Sequence, residues 1–226
     1  MTFNELKRPP DPFGDDEGIL DIQCRPALPK DHEQIALLAA GLLDRVFGDS
    51  IGHHGSQVHE AILHNLQMRL RNDCTWVMLE GETVIGMIDL ETAETRRLNG
   101  VSIPRAVADS LGLLEKVEHA GLLPLLVHEP APDEAHQPLV ALLPGSRGEG
   151  RGTLLLMHGV FWAKAQGKNW MTAWIRMDDG YFPVYKRRGY YIEKEVEAHG
   201  DEKTEKWLLL KRPISSMGYK SLRDNK

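Results

Sequence analysis

From Leu20 to Arg25 apolar and polar side chains alternate, with Leu20, Ile22 and Cys24 set against Asp21, Gln23 and Arg25. That period of two predicts a half-buried strand, ended by Pro26. The period then changes: Ile35, Leu38, Ala39, Leu42, Leu43 and Val46 recur at helical steps. Asp31 and Gln34 have the spacing of a capping box, so a first helix is expected to run to about Phe47. Gly48, Gly52 and Gly55 precede a second amphipathic stretch, Val58 to Leu70. Thr75 to Leu79 and Thr83 to Leu90 read as apolar strands of a hairpin turning at Glu80-Gly81-Glu82.

Residues 91 to about 136 lose this regularity and are read as an insertion between strands. A helix-like run passes through Ile103, Val107, Leu111, Leu114 and Val117, and Pro130, Pro132 and Pro138 interrupt the chain beyond it. Leu139 to Leu143 is then a short apolar strand, followed by the loop Pro144-Gly145-Ser146. Arg147-Gly148-Glu149-Gly150-Arg151-Gly152 leads into a helix from Thr153 to Gln166, closed by Gly167. Trp170 to Ile175 is a strand, Pro183 to Arg188 a short helix, and Tyr190 to Val196 and Trp207 to Leu210 are closing strands. This order predicts a mixed α/β sheet domain over residues 19–212, with a flexible arm over 1–18 and a tail over 213–226.

The formal net charge of -6 argues against a broad nucleic-acid footprint, although Lys220 to Lys226 is locally basic. Cys24 and Cys74 are too sparse for a disulfide framework and point to a reducing, cytoplasmic setting. No apolar run approaches the roughly 20 residues of a membrane span. Asp11, Asp15, Asp16 and Glu17 stand where a signal peptide needs an apolar stretch. The expectation is a cytoplasmic protein without nucleic-acid or membrane partners.

Chemistry concentrates in the glycine loop. A strand, a glycine-rich turn and a helix N-terminus leave unpaired N–H groups pointing outward, and the helix dipole favours an anion there. Gly148, Gly150 and Gly152 keep side chains out of the way, and Arg147 and Arg151 add positive charge. A P-loop needs Gly-Lys-Ser/Thr, and Gly152-Thr153 lacks the lysine. A dinucleotide fingerprint needs a glycine where Thr153 stands.

The run Pro144-x-x-Arg147-x-x-Gly150-x-Gly152 with Thr153-Leu154-Leu155 resembles the acyl-CoA pyrophosphate loop of the GNAT N-acetyltransferase superfamily. Arg25-Pro26-Ala27 with Asp31 and Gln34-Ile35 is similar to that family's opening strand and helix. Val184-Tyr185-Lys186-Arg187-Arg188-Gly189-Tyr190 is similar to its tyrosine helix, and the hairpin with Gly86 also fits. The resemblance covers about residues 20–90 and 137–212. The long insertion, Asp178 in place of a frequent Asn, and Pro183 within the tyrosine helix depart from the pattern.

The resemblance implies a largely antiparallel central sheet flanked by helices, with a helical insertion before the cofactor strand. It implies acetyl-CoA as co-substrate and direct transfer of acetyl to a primary amine in a ternary complex. The backbone of Leu139 to Leu143 would then bind the pantetheine arm, with an N–H near Leu142 or Leu143 polarising the thioester carbonyl. Arg147, Gly148, Glu149, Gly150, Arg151, Gly152 and Thr153 would hold the pyrophosphate. Tyr185 is the candidate general acid, with Lys186, Arg187 and Arg188 easing its proton loss. His136, next to Glu134, is the candidate base, and a water chain is the alternative.

Asp178 and Asp179 are candidates for holding the cationic amine. No metal is expected: His59 and His64 are five positions apart, which sets their rings about 140° apart on a helix. Trp162, Trp170 and Trp174 are expected in the core. The acceptor is expected to be a small molecule, with a protein lysine or N-terminus, or a non-catalytic acyl-CoA-binding module, as the alternatives. The insertion would either lid the acceptor pocket or form a homodimer contact, because Val107, Leu111 and Leu114 need a cover.

Overall fold

The computed structural model describes residues 22–51, 55–70, 73–199 and 204–214. The arm expected over 1–18, residues 215–226 of the tail, and His53 and His54 lie outside these. The described chain runs β1 (Ile22–Pro26), α1 (His32–Ile51), α2 (Gly55–Met68), β2 (Thr75–Glu80) and β3 (Thr83–Thr92). Four short helices follow: α3 (Ala93–Asn99), α4 (Ile103–Ser110), α5 (Leu114–His119) and α6 (Leu123–Leu126). Then come β4 (Glu134–Leu142), α7 (Arg151–Ala165), β5 (Trp170–Arg176), α8 (Phe182–Arg187), β6 (Tyr191–His199) and β7 (Thr204–Pro213).

The strands form one sheet in the order β1-β2-β3-β4-β5-β7-β6. Every neighbouring pair is antiparallel except β4 and β5, which are parallel. The alternation seen in the sequence sorts side chains onto two faces. Val77, Leu79, Met87, Leu139 and Ala141 face Ile35, Leu38, Ala39 and Leu43 of α1 and Val58, Ile62 and Leu66 of α2. Met78, Ile88, Ala135, Met171, Leu208 and Leu210 face Leu155, Leu156, Val160 and Ala163 of α7 and Tyr185 of α8.

Asp31 and Gln34 do not close a capping box on α1. The Asp31 carboxylate accepts the Leu28 amide at 2.7 Å and pairs with Arg25 at 2.6 Å, which fixes the 3-10 turn before the helix. Gln34 instead accepts the Val84 amide at 2.9 Å and ties α1 to the hairpin. Both residues satisfy backbone donors, Asp31 within the local 3-10 turn and Gln34 across to the hairpin.

The strands around the insertion are longer than the apolar pattern predicted. β3 continues through Glu91 and Thr92, and β4 begins at Glu134, so the non-strand stretch runs from Ala93 to Asp133. Glu91, Glu134 and His136 are polar yet almost fully buried, with partners that replace water. Buried polar residues break the hydrophobic signature by which a strand is read.

The insertion crosses the α1 face toward the far edge of the sheet. Ala108, Leu113, Val117, Ala120, Leu122, Leu125 and Leu126 form an apolar cluster with Ala198 of β6 and Trp207 of β7. The His199 amide donates to the Ala120 carbonyl at 2.8 Å, and Trp174 packs against the same cluster. Leu111 and Leu114, of the face expected to need a cover, pack against this cluster on the chain's own β6–β7 hairpin. Val107, for its part, sits in the α1–α2 core.

Gly121 is the tightest point of this docking. Its φ is +72°, and a Cβ there would stand 2.7 Å from the Glu197 carbonyl oxygen. Gly112, in the same insertion, has φ +64° but open space around it. Gly121→Ala is expected to lose about 1–3 kcal/mol more stability than Gly112→Ala, measured by urea denaturation. Equal losses would mean that the insertion does not pack on β6 as described.

Candidate active site

The site is built where the sheet splits. The parallel ladder between β4 and β5 lasts only four pairs, from Glu134 with Trp170 to Gln137 with Ala173. Beyond it β4 stays with β3 as far as Leu142 and Gly86, while β5 stays with β7 as far as Arg176 and Trp207. At the branch, Gln137 and Pro138 together stand opposite Leu90, a bulge between the Asp89–Leu139 and Glu91–His136 pairs. Pro138 has no N–H, so ending the ladder there leaves no donor stranded on that residue.

Past the bulge, alternate amides of β4 turn away from β3. Leu143 donates to the Ile85 carbonyl at 2.9 Å, which sets the phase. The Leu143 amide is therefore engaged within the sheet, and those of Val140 and Leu142 face the gap. Gly86 makes room for Leu142 on the neighbouring strand, since a Cβ there would come within 2.6 Å of Leu142 Cδ2.

The gap leads to the N-terminus of α7. Gly148, Glu149 and Gly150 all have positive φ, at 95°, 50° and 78°. A left-handed run of this kind can present its amides to an anion. No side chain caps the helix, and the Arg151 and Leu154 amides bond the Gly148 and Gly150 carbonyls. The amides of Gly148, Glu149, Gly150, Gly152 and Thr153 have no partner among the described residues. Arg147 is exposed beside them. The Arg151 guanidinium turns away instead, pairing with Glu149 at 3.2 Å and Glu80 at 3.4 Å.

Two polar groups flank the branch point, one on each face of the sheet. On the α7 face, the Gln137 amide donates to the Tyr190 hydroxyl at 2.7 Å, and Tyr190 meets Tyr185 edge-on with ring centroids 5.1 Å apart. The Gln137 Oε1 is buried without a partner. Burial, and then Tyr181, push the Tyr185 hydroxyl well above the usual tyrosine range, so it holds its proton. Lys186, Arg187 and Arg188 are all exposed, and the easing effect expected of them is overridden by burial.

On the α1 face, His136 is only 1% exposed, and its Nδ1 lies 2.9 Å from Thr172 Oγ1. Thr172 also contacts Glu134 at 2.9 Å, as does His128 Nε2. The His128 and His136 rings meet at a tilt of 38° with centroids 4.2 Å apart. Burial, and then the electrostatic influence of His128 and Arg96, hold His136 well below the usual histidine range. It is neutral at pH 7. Burial pushes Glu134 up, but hydrogen bonds from His128 and Thr172 and the electrostatic influence of His128 and Lys211 outweigh it, leaving an ionised carboxylate.

Asp178 is exposed, whereas Asp179 is bonded to Arg176 at 2.8 Å and lies 3.9 Å from Arg45. Arg176 also pairs with the buried Glu205 at 2.9 Å. Trp162 is buried, and Trp170 carries the Lys211 ammonium over its ring at 5.1 Å. Cys24 and Cys74 form no disulfide. His59 pairs with Glu33, and no cluster of three or more His, Cys, Asp and Glu side chains suits a metal among the described residues. No described helix is long and apolar enough to cross a membrane. The sequence reading missed Thr172, His128 and Gln137, which carry no motif and become neighbours only through strand pairing.

The His136 environment sets a pH dependence of stability. Unfolded, a histidine takes a proton near pH 6.5, which the folded, buried ring refuses. The unfolded state then binds more protons, so stability is complete above about pH 6.5 and falls as pH drops below it. His32 and His158, also lowered by burial, act in the same direction. Urea denaturation at pH 7 and pH 5 should show this loss, and His136→Gln should reduce its slope by at most about 1.4 kcal/mol per pH unit.

A scan against models of known protein families finds no match, and neither does a search of curated proteins. Solved structures do match. An N-acetyltransferase from Staphylococcus aureus Mu50 is 12% identical with a TM-score of 0.59, over 86% of this chain and 99% of that one. A GNAT-family acetyltransferase from Streptococcus pneumoniae is 17% identical with a TM-score of 0.54, over 86% and 99%. PaiA N-acetyltransferase from Thermoplasma acidophilum, solved in complex with coenzyme A, is 13% identical with a TM-score of 0.51, over 85% and 98%. Sheet order, the parallel β4–β5 pair and these neighbours agree: the chain has the fold of the GNAT acetyltransferases.

Proposed function

We propose that this protein is an acetyl-CoA-dependent N-acetyltransferase acting on a primary amine of a small molecule. The observation that carries the proposal is the uncapped, left-handed amide run at the α7 N-terminus, opening onto a strand edge with free amides. A diphosphate satisfies the first, and an amide-bearing arm satisfies the second. A solved neighbour with coenzyme A bound supports the same ligand.

Bound acetyl-CoA would supply the acetyl group as a thioester. The amides of Gly148, Glu149, Gly150, Gly152 and Thr153 take the pyrophosphate, with Arg147 adding charge. Val140 and Leu142 offer edge amides to the pantetheine arm and the thioester carbonyl. The buried Gln137 Oε1 accepts an N–H from the arm, which removes its present lack of a partner.

Ionised Glu134 and neutral His136 stand on the α1 face, the face over which the insertion packs, and the acceptor would enter there. The amine nitrogen attacks the carbonyl carbon, forming the C–N bond as the C–S bond breaks. His136 takes the amine proton through one water, because its ring is nearly sealed. Tyr185 gives its proton to the departing thiolate from the α7 face. The same burial that raises the Tyr185 hydroxyl also makes a thiolate more basic, as it does for the Cys24 thiol, pushed up to about 11.

Isothermal titration with acetyl-CoA should give a single binding site, and Gly150→Val should weaken it at least about 10-fold by disturbing a left-handed residue. Thiol release on adding an amine panel separates an enzyme from a module that only binds acyl-CoA. Tyr185→Phe is expected to lower kcat about 10²-fold with little change in KM for acetyl-CoA. An unchanged rate across the pH range would remove Tyr185 from the mechanism.

A further inference from the structure

The strongest pattern outside the cofactor path is the chain of contacts behind His136. Thr172 has one hydroxyl proton, and its two nearest partners, Glu134 Oε1 and His136 Nδ1, each stand at 2.9 Å, with the Ala135 carbonyl and His128 Nε2 farther off at 3.4 Å. An ionised carboxylate accepts hydrogen bonds and donates none. The Thr172 proton therefore goes to Glu134, and the hydroxyl oxygen is left to accept. For the second contact to be a hydrogen bond, His136 must donate from Nδ1. Its lone pair is then on Nε2, which has no partner among the described residues.

We infer that Glu134 and Thr172 are positioning residues that fix His136 in its Nδ1–H tautomer and leave Nε2 as the proton acceptor. The inference rests on the reading of His136 as the base. The relay joins two strands through two contacts: Glu134 and His136 alternate along β4, and Thr172 answers from β5 at the register pair His136–Thr172. His128 reinforces it from the insertion, with Nε2 2.9 Å from Glu134 and its ring against His136. The charged groups around the imidazole are thus Glu134 with His128, Lys211 of β7 at 3.8 Å from Glu134, and Arg96 with Glu91. Arg96 also donates to the His128 carbonyl, which anchors the insertion over the relay.

The alternative role for these residues is structural: a buried polar cluster that only holds β4 to β5. The two roles differ in what they move. A structural cluster affects melting temperature, whereas a positioning relay affects the histidine tautomer and kcat without changing acetyl-CoA binding.

The test uses the full chain labelled with 15N-histidine, in three forms: wild type, Thr172→Val and Thr172→Ser. Valine keeps the shape and removes the hydroxyl, and serine restores it. Two-bond 1H–15N spectra at pH 7.5 should place the His136 proton on Nδ1 in wild type and Thr172→Ser, and shift it toward Nε2 in Thr172→Val. In parallel, kcat for acetyl transfer should fall about 10- to 100-fold in Thr172→Val, return to within about 3-fold in Thr172→Ser, and leave KM for acetyl-CoA unchanged. An Nε2–H signal in wild type, or one tautomer in all three forms, would overturn the relay. A tautomer that shifts while kcat stays constant supports the relay and removes His136 from the role of base. Melting curves for all three forms show whether Thr172→Val remains folded, and if it does not, the wild-type tautomer alone decides the inference.

Discussion

Pro138 has no amide hydrogen, and the parallel ladder between β4 and β5 ends one residue before it. Much of the candidate site depends on that break. Two parallel strands that stay paired make a continuous sheet with no room for a ligand. When they part, each keeps its outer neighbour, and the inner edges face one another across a gap lined with backbone groups. Such an edge within a protein calls for a partner, and an extended arm bearing amides is a suitable one.

The bulge at Gln137 and Pro138 also changes what the two faces present. Before it, Glu134 and His136 share the α1 face, while Ala135 and Gln137 share the α7 face. After it, Leu139 and Ala141 return to the α1–α2 core. The polar residues thus cluster at the closed end of the gap and the apolar ones along its open length. Proton transfer requires ordered polar groups at one point, and arm binding requires a dry wall, so the division suits both. In the proposed reaction, a proton acceptor on one face and a proton donor on the other keep the two transfers apart in space.

Burial does much of the electrostatic work. It keeps His136 neutral and Tyr185 protonated, which are the states a base and an acid need before the reaction begins. Glu134 shows the limit of the same effect: the bonds and charges around it keep the carboxylate ionised against desolvation. The insertion enforces this dryness on the α1 face. Its apolar cluster with Ala198 and Trp207, and the backbone bond from His199, hold it down over β5, β7 and β6.

The order of elements, the mixed sheet and the glycine loop were legible from residues alone, because periods of two and of 3.6 and runs of glycine are local properties. The positive φ values at Gly148 and Gly150 are likewise a local consequence of having no Cβ. Strand ends at Glu91 and Glu134 were hidden, since a buried polar residue looks like a surface one until its partner is known. The cover over the insertion was hidden for the same reason, as Ala120 and His199 are far apart along the chain. Which amide of Leu142 and Leu143 faces the gap, which carboxylate is ionised, and where the His136 proton sits were decided by strand register, bulge position and desolvation. Those depend on neighbours brought together by folding, so tertiary structure alone could set them.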